Sequence, residues 1–352
     1  MDYKKFIEEI ITSLINENGS DLHLGASRKP VMRVDGQLVI MVNQKESTQD
    51  DMVGILKIIL GIEKTKEFFN EKEVDFSYSY KKQHNLRCNA FFQRGLICLA
   101  LRLIPKIKTF EELNLPSILK TFTEKKQGFF LVVGPIGQGK STTLSTMINI
   151  INKQRSCHIM TIEDPIEFVY EPEKAIIDQR EIGIDTVDFS VALKSAFRQD
   201  INVILIGEMR NLETISSAVT AAETGHLVFS TLHTNNASQT IDRIIDSFPP
   251  GQQDQVRIQL SSSLLGVFSQ RLIPRISGGR IPVYELLINN NAVANLIREK
   301  RTHEINTVIE TSSSEGMIDM NRSLVELVTK GEITLENAYQ YSINPKGLER
   351  ML

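Results

Sequence analysis

The chain has 352 residues, 41% hydrophobic and 24% charged, with a net charge of −3 and no tryptophan. That length calls for two domains and that composition excludes a disordered or fibrous chain; the near-balanced charge speaks against a general electrostatic grip on nucleic acid. Cys88, Cys98 and Cys157 are odd in number and far apart, which argues against a disulfide framework or a paired-cysteine metal site and fits a reducing cytoplasm.

Residues 1–21 place Phe6, Ile10, Ile11, Leu14 and Ile15 on one helical face, and acidic residues interrupt the stretch where a signal peptide would be apolar. The pattern predicts a core-facing helix ending at Asn18 and Gly19. From Asp21 to about Arg102 short alternating strands follow, at 31–34, 38–42, 74–80 and 96–103, with helices over 50–60 and 63–70, which is an α+β module. Pro105 and Pro116 bracket a less periodic stretch, so the expected organisation is a first domain at 1–105, a linker at 106–116 and a second domain at 117–352. In the second region strands and helices alternate, as a parallel α/β core requires. The longest apolar runs, such as 129–133 and 203–206, are strand-length and too short to span a membrane, so no transmembrane segment is expected.

Residues 134–142 read GPIGQGKST, in which Gly134, Gly139, Lys140 and Ser141 fit the spacing G-x-x-x-x-G-K-[ST]. Glycines at that spacing let backbone N–H groups close around a phosphate, the lysine reaches the β/γ-phosphates and the hydroxyl meets Mg²⁺. An apolar run at 128–134 precedes the motif and apolar residues at helical spacing follow it, so strand, loop and helix stand in the required order. Gly134, Pro135, Ile136, Gly137, Gln138, Gly139, Lys140, Ser141 and Thr142 are therefore expected to cradle a nucleotide's phosphates.

Three more strands end in polar residues: Glu163 and Asp164 follow 158–162, Glu208 follows 203–207 and His233 follows 227–232. Ligands of open α/β sheets sit outside the carboxyl ends of the strands, so these groups should converge on the γ-phosphate. Transfer of a phosphoryl group to water needs Mg²⁺, an oriented water and positive charge. Glu163 is the candidate for orienting the water. Glu208 is the candidate, with Ser141, for the magnesium shell, or for sharing the base role; His233 is placed to sense the γ-phosphate. Asp164 reads equally as a turn residue before Pro165, and His226, after the helix at 212–223, reads equally as a helix C-terminal partner. Arg87, Arg94 and Arg102, on the last strands of the first domain, are candidates for the positive charge.

These residues carry a resemblance to the secretion superfamily of hexameric ATPases, and within it to the type IV pilus retraction ATPases. TIEDPIE at 161–167 is similar to its Asp box, NVILIGEMR at 202–210 to its Walker B segment and ETGHLVFSTLHTN at 223–235 to its His box; SDLHLG at 20–25, IDRIID at 241–246 and NLIRE at 295–299 extend the match nearly end to end. The resemblance implies a PAS-like first domain, a RecA-like P-loop ATPase core, a homohexameric ring and ATP hydrolysis driving pilus retraction and twitching motility. It also implies a cytoplasmic position at the inner membrane, reached by contact with the pilus platform protein. Carried over by position, Glu163 is the catalytic glutamate, Glu208 the Walker B acid, His226 and His233 the His-box histidines, and Arg87 and Arg102 the arginines directed at phosphate. Two positions depart from the pattern: Gly207 stands where many P-loop enzymes have Asp, and Ala294 where retraction ATPases usually carry Arg in A-I-R-N-L-I. Assembly and type II secretion ATPases share the nucleotide motifs but usually add a four-cysteine element and a longer N-terminal domain. A nucleic-acid motor lacks support from the charge balance, and a nucleotide sensor without turnover is the remaining alternative.

Overall fold

The Asp2 side chain accepts a hydrogen bond from the Lys5 amide and so starts helix α1 (Tyr3–Asn16), whose Phe6, Ile7, Ile10, Ile11 and Leu14 are buried. The structure, a computed structural model, describes residues 2–34, 36–81 and 84–352 and divides into two units, Met1–Lys106 and Ile107–Leu352. In the first unit come β1 (Asp21–Gly25), β2 (Val31–Val34), β3 (Gln37–Ile40), α2 (Gln49–Leu60), α3 (Ile62–Glu71), β4 (Glu73–Tyr80), β5 (His84–Gln93) and β6 (Leu96–Leu103). The strands form one antiparallel sheet in the order β3-β2-β1-β6-β5-β4. Its core joins α1 and α2 to Leu22, Leu24, Leu86, Leu99 and Leu101. β1 and β5 lie outside the strands that simple alternation names, because His23, His84, Asn85, Arg87 and Asn89 dilute the apolar pattern.

The second unit opens with a correction to the expected linker. Phe110 and Leu115 are buried, Ile107 and Leu113 pack beside them, and the Thr146 hydroxyl donates to the Lys108 carbonyl at 2.9 Å. Residues 107–116 therefore belong to the second unit's core, held by four apolar anchors whose irregular spacing hides them from a periodicity search.

After α4 (Leu119–Thr123), the chain runs through β7 (Gly128–Val133), α5 (Lys140–Gln154), β8 (His158–Glu163), β9 (Ile176–Glu181), α6 (Phe189–Ala196) and β10 (Val203–Ile206). It continues as α7 (Leu212–Glu223), β11 (Leu227–Leu232), α8 (Ala237–Asp246), α9 (Pro250–Ser263), β12 (Leu264–Pro274), β13 (Arg280–Ile288) and α10 (Asn291–Arg298), and ends in short helices. The sheet order is β13-β12-β7-β11-β10-β8-β9, parallel throughout except for β13. Strand β7 is buried along its whole length. Phe129, Leu131 and Val133 enter one layer of core while Phe130 and Val132 enter the other, as the two-residue period of a strand dictates.

Register brings the strand ends together. Val133 pairs with Leu232, Ile206 with both Ser230 and Ile162, and the chain leaves each strand at about the same level. The segments beginning at Gly134, Glu163, Gly207 and His233 thus emerge along one edge of the sheet.

Candidate active site

At that edge lies a cavity of about 560 Å³, lined by residues 136–142, Glu163, Asp164, Glu208, Arg210 and His233 among others. The loop between β7 and α5 takes its shape from its glycines. Gly134, Gly137 and Gly139 have φ of 145°, 75° and 78°, values that side chains resist. Helix α5 begins at Lys140 with Gly139 before it and no side-chain cap, so its first N–H groups remain open toward the cavity. Such a helix start is an anion site, since the free N–H groups and the helix dipole both favour negative charge.

Lys140 is buried, and its ammonium donates to the carbonyls of Gly134 and Pro135, each at 2.8 Å, with His233 Nδ1 at 3.3 Å. Burial pulls its pKa down to about 8. An ammonium only donates, so Nδ1 of His233 accepts and the ring proton sits on Nε2, which donates to Glu208 Oε2 at 3.2 Å. Burial first, and the Lys140 charge second, lower the His233 pKa, keeping the ring neutral near pH 7. Glu208 Oε1 meets the guanidinium of Arg210, whose other end lies 3.9 Å from Asp164. A polar chain thus runs Lys140, His233, Glu208, Arg210, Asp164 across the cavity wall. It places Asp164 in the site, and it includes Arg210, which no spacing rule singled out although it sits two residues beyond Glu208.

Glu163 is 8% exposed. Burial raises its pKa to about 7, against hydrogen bonds from the Thr161 hydroxyl at 2.7 Å and the Glu167 amide at 3.3 Å that favour the ionised form. A carboxylate balanced near neutrality and opening into this cavity can take a proton from water and return it.

His226, Arg87 and Arg102 make other contacts within their own units. His226 is at the amino end of β11, the far end of the strand from His233; its Nδ1 is 3.1 Å from the Ala221 carbonyl and its ring meets Phe197 edge-on at 5.5 Å. That is the helix C-terminal partner of its alternative reading, and the structure does not bring it to the cavity. Arg87 and Arg102 belong to the first unit, where they are direct cross-strand partners on β5 and β6; Arg102 Nε donates to Asp21 at 2.8 Å.

Residues 2–278 match the family described as type II/IV secretion system protein. The type IV pilus retractation ATPase PilT of Pseudomonas aeruginosa is 43% identical over 97% of this chain and 99% of its own length. The type IV pilus ATPase PilU of the same organism is 39% identical over 98% of this chain and 91% of its own. A crystal structure of the pilus retraction motor PilT with bound ADP matches with a TM-score of 0.91 at 45% identity, covering 97% of this chain and 98% of that one. Agreement of sequence and fold over nearly the whole length, around a cavity with an open phosphate loop and a poised carboxylate, makes this chain a nucleotide-binding ATPase of the type II/IV secretion system protein family.

Proposed function

We propose that the chain is the ATP-hydrolysing motor that powers type IV pilus retraction, and with it twitching motility. The observation that carries hydrolysis is the placement of Glu163, buried and poised near neutrality, in the same cavity as Lys140 and the open start of α5. The direction of the work rests on the near-full-length likeness to PilT.

When the triphosphate enters, the N–H groups at the start of α5 take its oxygens and Lys140 exchanges the Gly134 and Pro135 carbonyls for phosphate. His233 then loses its lysine partner and is free to report whether a γ-phosphate is present. Glu163 in its ionised form holds the attacking water and accepts its proton. Ser141 and Glu208 are oxygen donors suited to a hard cation; they would hold Mg²⁺, which would supply charge neutralisation. We assign Arg87 and Arg102 to the phosphate charge and His226 to the His box by their positions in the family's motifs.

The working form is a homohexamer passing motion to a membrane platform protein, on the cytoplasmic face of the inner membrane. No helix among the described residues is long and apolar enough to cross a membrane. Ala294 in the C-terminal motif favours an accessory retraction ATPase as the second reading. Deleting the gene and scoring surface pili and twitching separates these. Retained or accumulated pili with loss of movement supports the retraction motor, bald cells mark an assembly ATPase, and unchanged pili and movement leave an accessory role.

A further inference from the structure

Strand β12 ends its pairing with β7 at Ser269 opposite Val133, which brings Gln270 level with Gly134, the first residue of the phosphate loop. Gln270 is buried at 2% exposure. Both ends of its side-chain amide are engaged: Oε1 accepts from the Thr143 hydroxyl on α5 at 2.6 Å, and Nε2 donates to the Gln138 backbone carbonyl at 2.7 Å. A carbonyl cannot donate, so the orientation of the amide follows from its partners. In return the Gln138 side chain reaches across to β12 and accepts from the Leu272 amide at 2.6 Å. The two glutamines bolt the loop to the strand from both sides.

We propose that Gln270 is a positioning residue for ATP binding, one that holds the phosphate loop in its binding shape before nucleotide arrives, with Gln138 as its counterpart on the loop. The inference rests on the ATPase reading of this cavity. Its physical basis is the freedom of the loop, which carries glycines at 134, 137 and 139 and has no regular hydrogen bonding of its own. In a planar trans peptide the C=O and the following N–H point in opposite directions. Turning the Gln138 carbonyl toward Gln270 therefore turns the Gly139 N–H away from β12, and Gly139 lines the cavity. Gln270 thus orients a phosphate donor without touching phosphate, and the ordering cost is met in folding instead of in binding.

The test compares full-length Gln270→Met, Thr143→Val and the double variant with the parent, measuring ADP affinity by calorimetry and steady-state ATP turnover, with thermal melts to establish folding. Met fills the space of Gln but neither accepts nor donates as an amide does. The expected result for Gln270→Met is a weakening of ADP binding and a rise in KM of about ten-fold, corresponding to the loss of one or two buried hydrogen bonds, with a smaller change in kcat. Thr143→Val should weaken ADP binding several-fold through the same amide, and the double variant should be no weaker than Gln270→Met, because both bonds end on one side chain. ADP affinity and KM within two-fold of the parent in a folded Gln270→Met overturns the proposal. So does a fall in kcat with KM unchanged, which would place Gln270 in a later step. Should Gln270→Met fail to fold, unchanged ADP affinity in Thr143→Val overturns it. A parent protein that binds ADP but does not turn over ATP would sink the ATPase reading while leaving the affinity comparison valid.

Discussion

Glu163 has a pKa raised from 4.5 to about 7, because desolvation outweighs the hydrogen bonds that favour its charge. Only its ionised form accepts a proton, so kcat/KM for ATP should rise with pH through a midpoint near 7 across a buffer series. Glu163→Gln keeps the shape and should bind ATP while losing about 10² to 10⁴ in hydrolysis, measured as phosphate release beside nucleotide titration. The same shift bears on stability. A folded-state pKa above the unfolded value means that the protonated form is favoured by the fold, so the contribution is full below about 4.5 and is lost as pH rises through about 7. Glu163→Gln should therefore be more stable than the parent at pH 8, on the order of 1 to 3 kcal/mol, with the gain vanishing below pH 5, as read in melts. Lys140→Ala should abolish turnover with the fold intact, since the Gly134 and Pro135 carbonyls it serves can turn to cavity water. Lys140 and Glu163 were legible from the sequence because one belongs to a spaced motif and the other ends an apolar run. Arg210 was not, because its value comes from touching Glu208 and approaching Asp164.

The loop between β7 and α5 shows how an element constrains its residues. A Cβ on Gly134 would lie 2.3 Å from the Gln270 carbonyl oxygen, backbone against backbone, and neither strand can retreat without breaking the sheet. One on Gly137 would meet nothing within 4 Å, leaving only the strain of φ at 75°. Gly134→Ala should cost about 3 kcal/mol or more and abolish nucleotide binding, whereas Gly137→Ala should cost about 1 to 2 kcal/mol, a difference that urea unfolding resolves. Strand, loop and helix were readable here because all three are continuous in sequence. The hairpin of β12 and β13, which closes the far side of the site, escaped a reading based on strands that end in candidate catalytic groups. The segment 107–116 escaped because its anchors have no period.

Each of the two units has its own apolar core, and among the described residues those lining the cavity lie in the second unit. Residues 107–352 should therefore fold and bind nucleotide alone. If Arg87 and Arg102 supply charge to the transition state, that fragment and the variants Arg87→Ala and Arg102→Ala should retain nucleotide affinity but lose kcat. An arginine finger elsewhere is worth about 10³ to 10⁵, and one member of a pair should contribute less, about ten-fold or more. Turnover of the fragment at the rate of the full chain would remove the first unit from the chemistry.

The order of strand, glycine loop and helix, the division into two units and the carboxylates at strand ends were determined by the sequence alone, because each is a local pattern of apolar spacing, φ tolerance or residue type. What tertiary structure decided is which of those groups meet. His226 and His233 share one motif, yet a whole strand of extended backbone separates them and sends only His233 to the phosphate edge. Lys140 and His233 are 93 positions apart and Thr143 and Gln270 are 127 apart, so the contacts that tune the lysine and hold the loop exist only once parallel pairing has set β11 and β12 beside β7. Burial acts in the same way: the shift on Glu163 comes from the walls that close around it, and no window of neighbouring residues contains those walls.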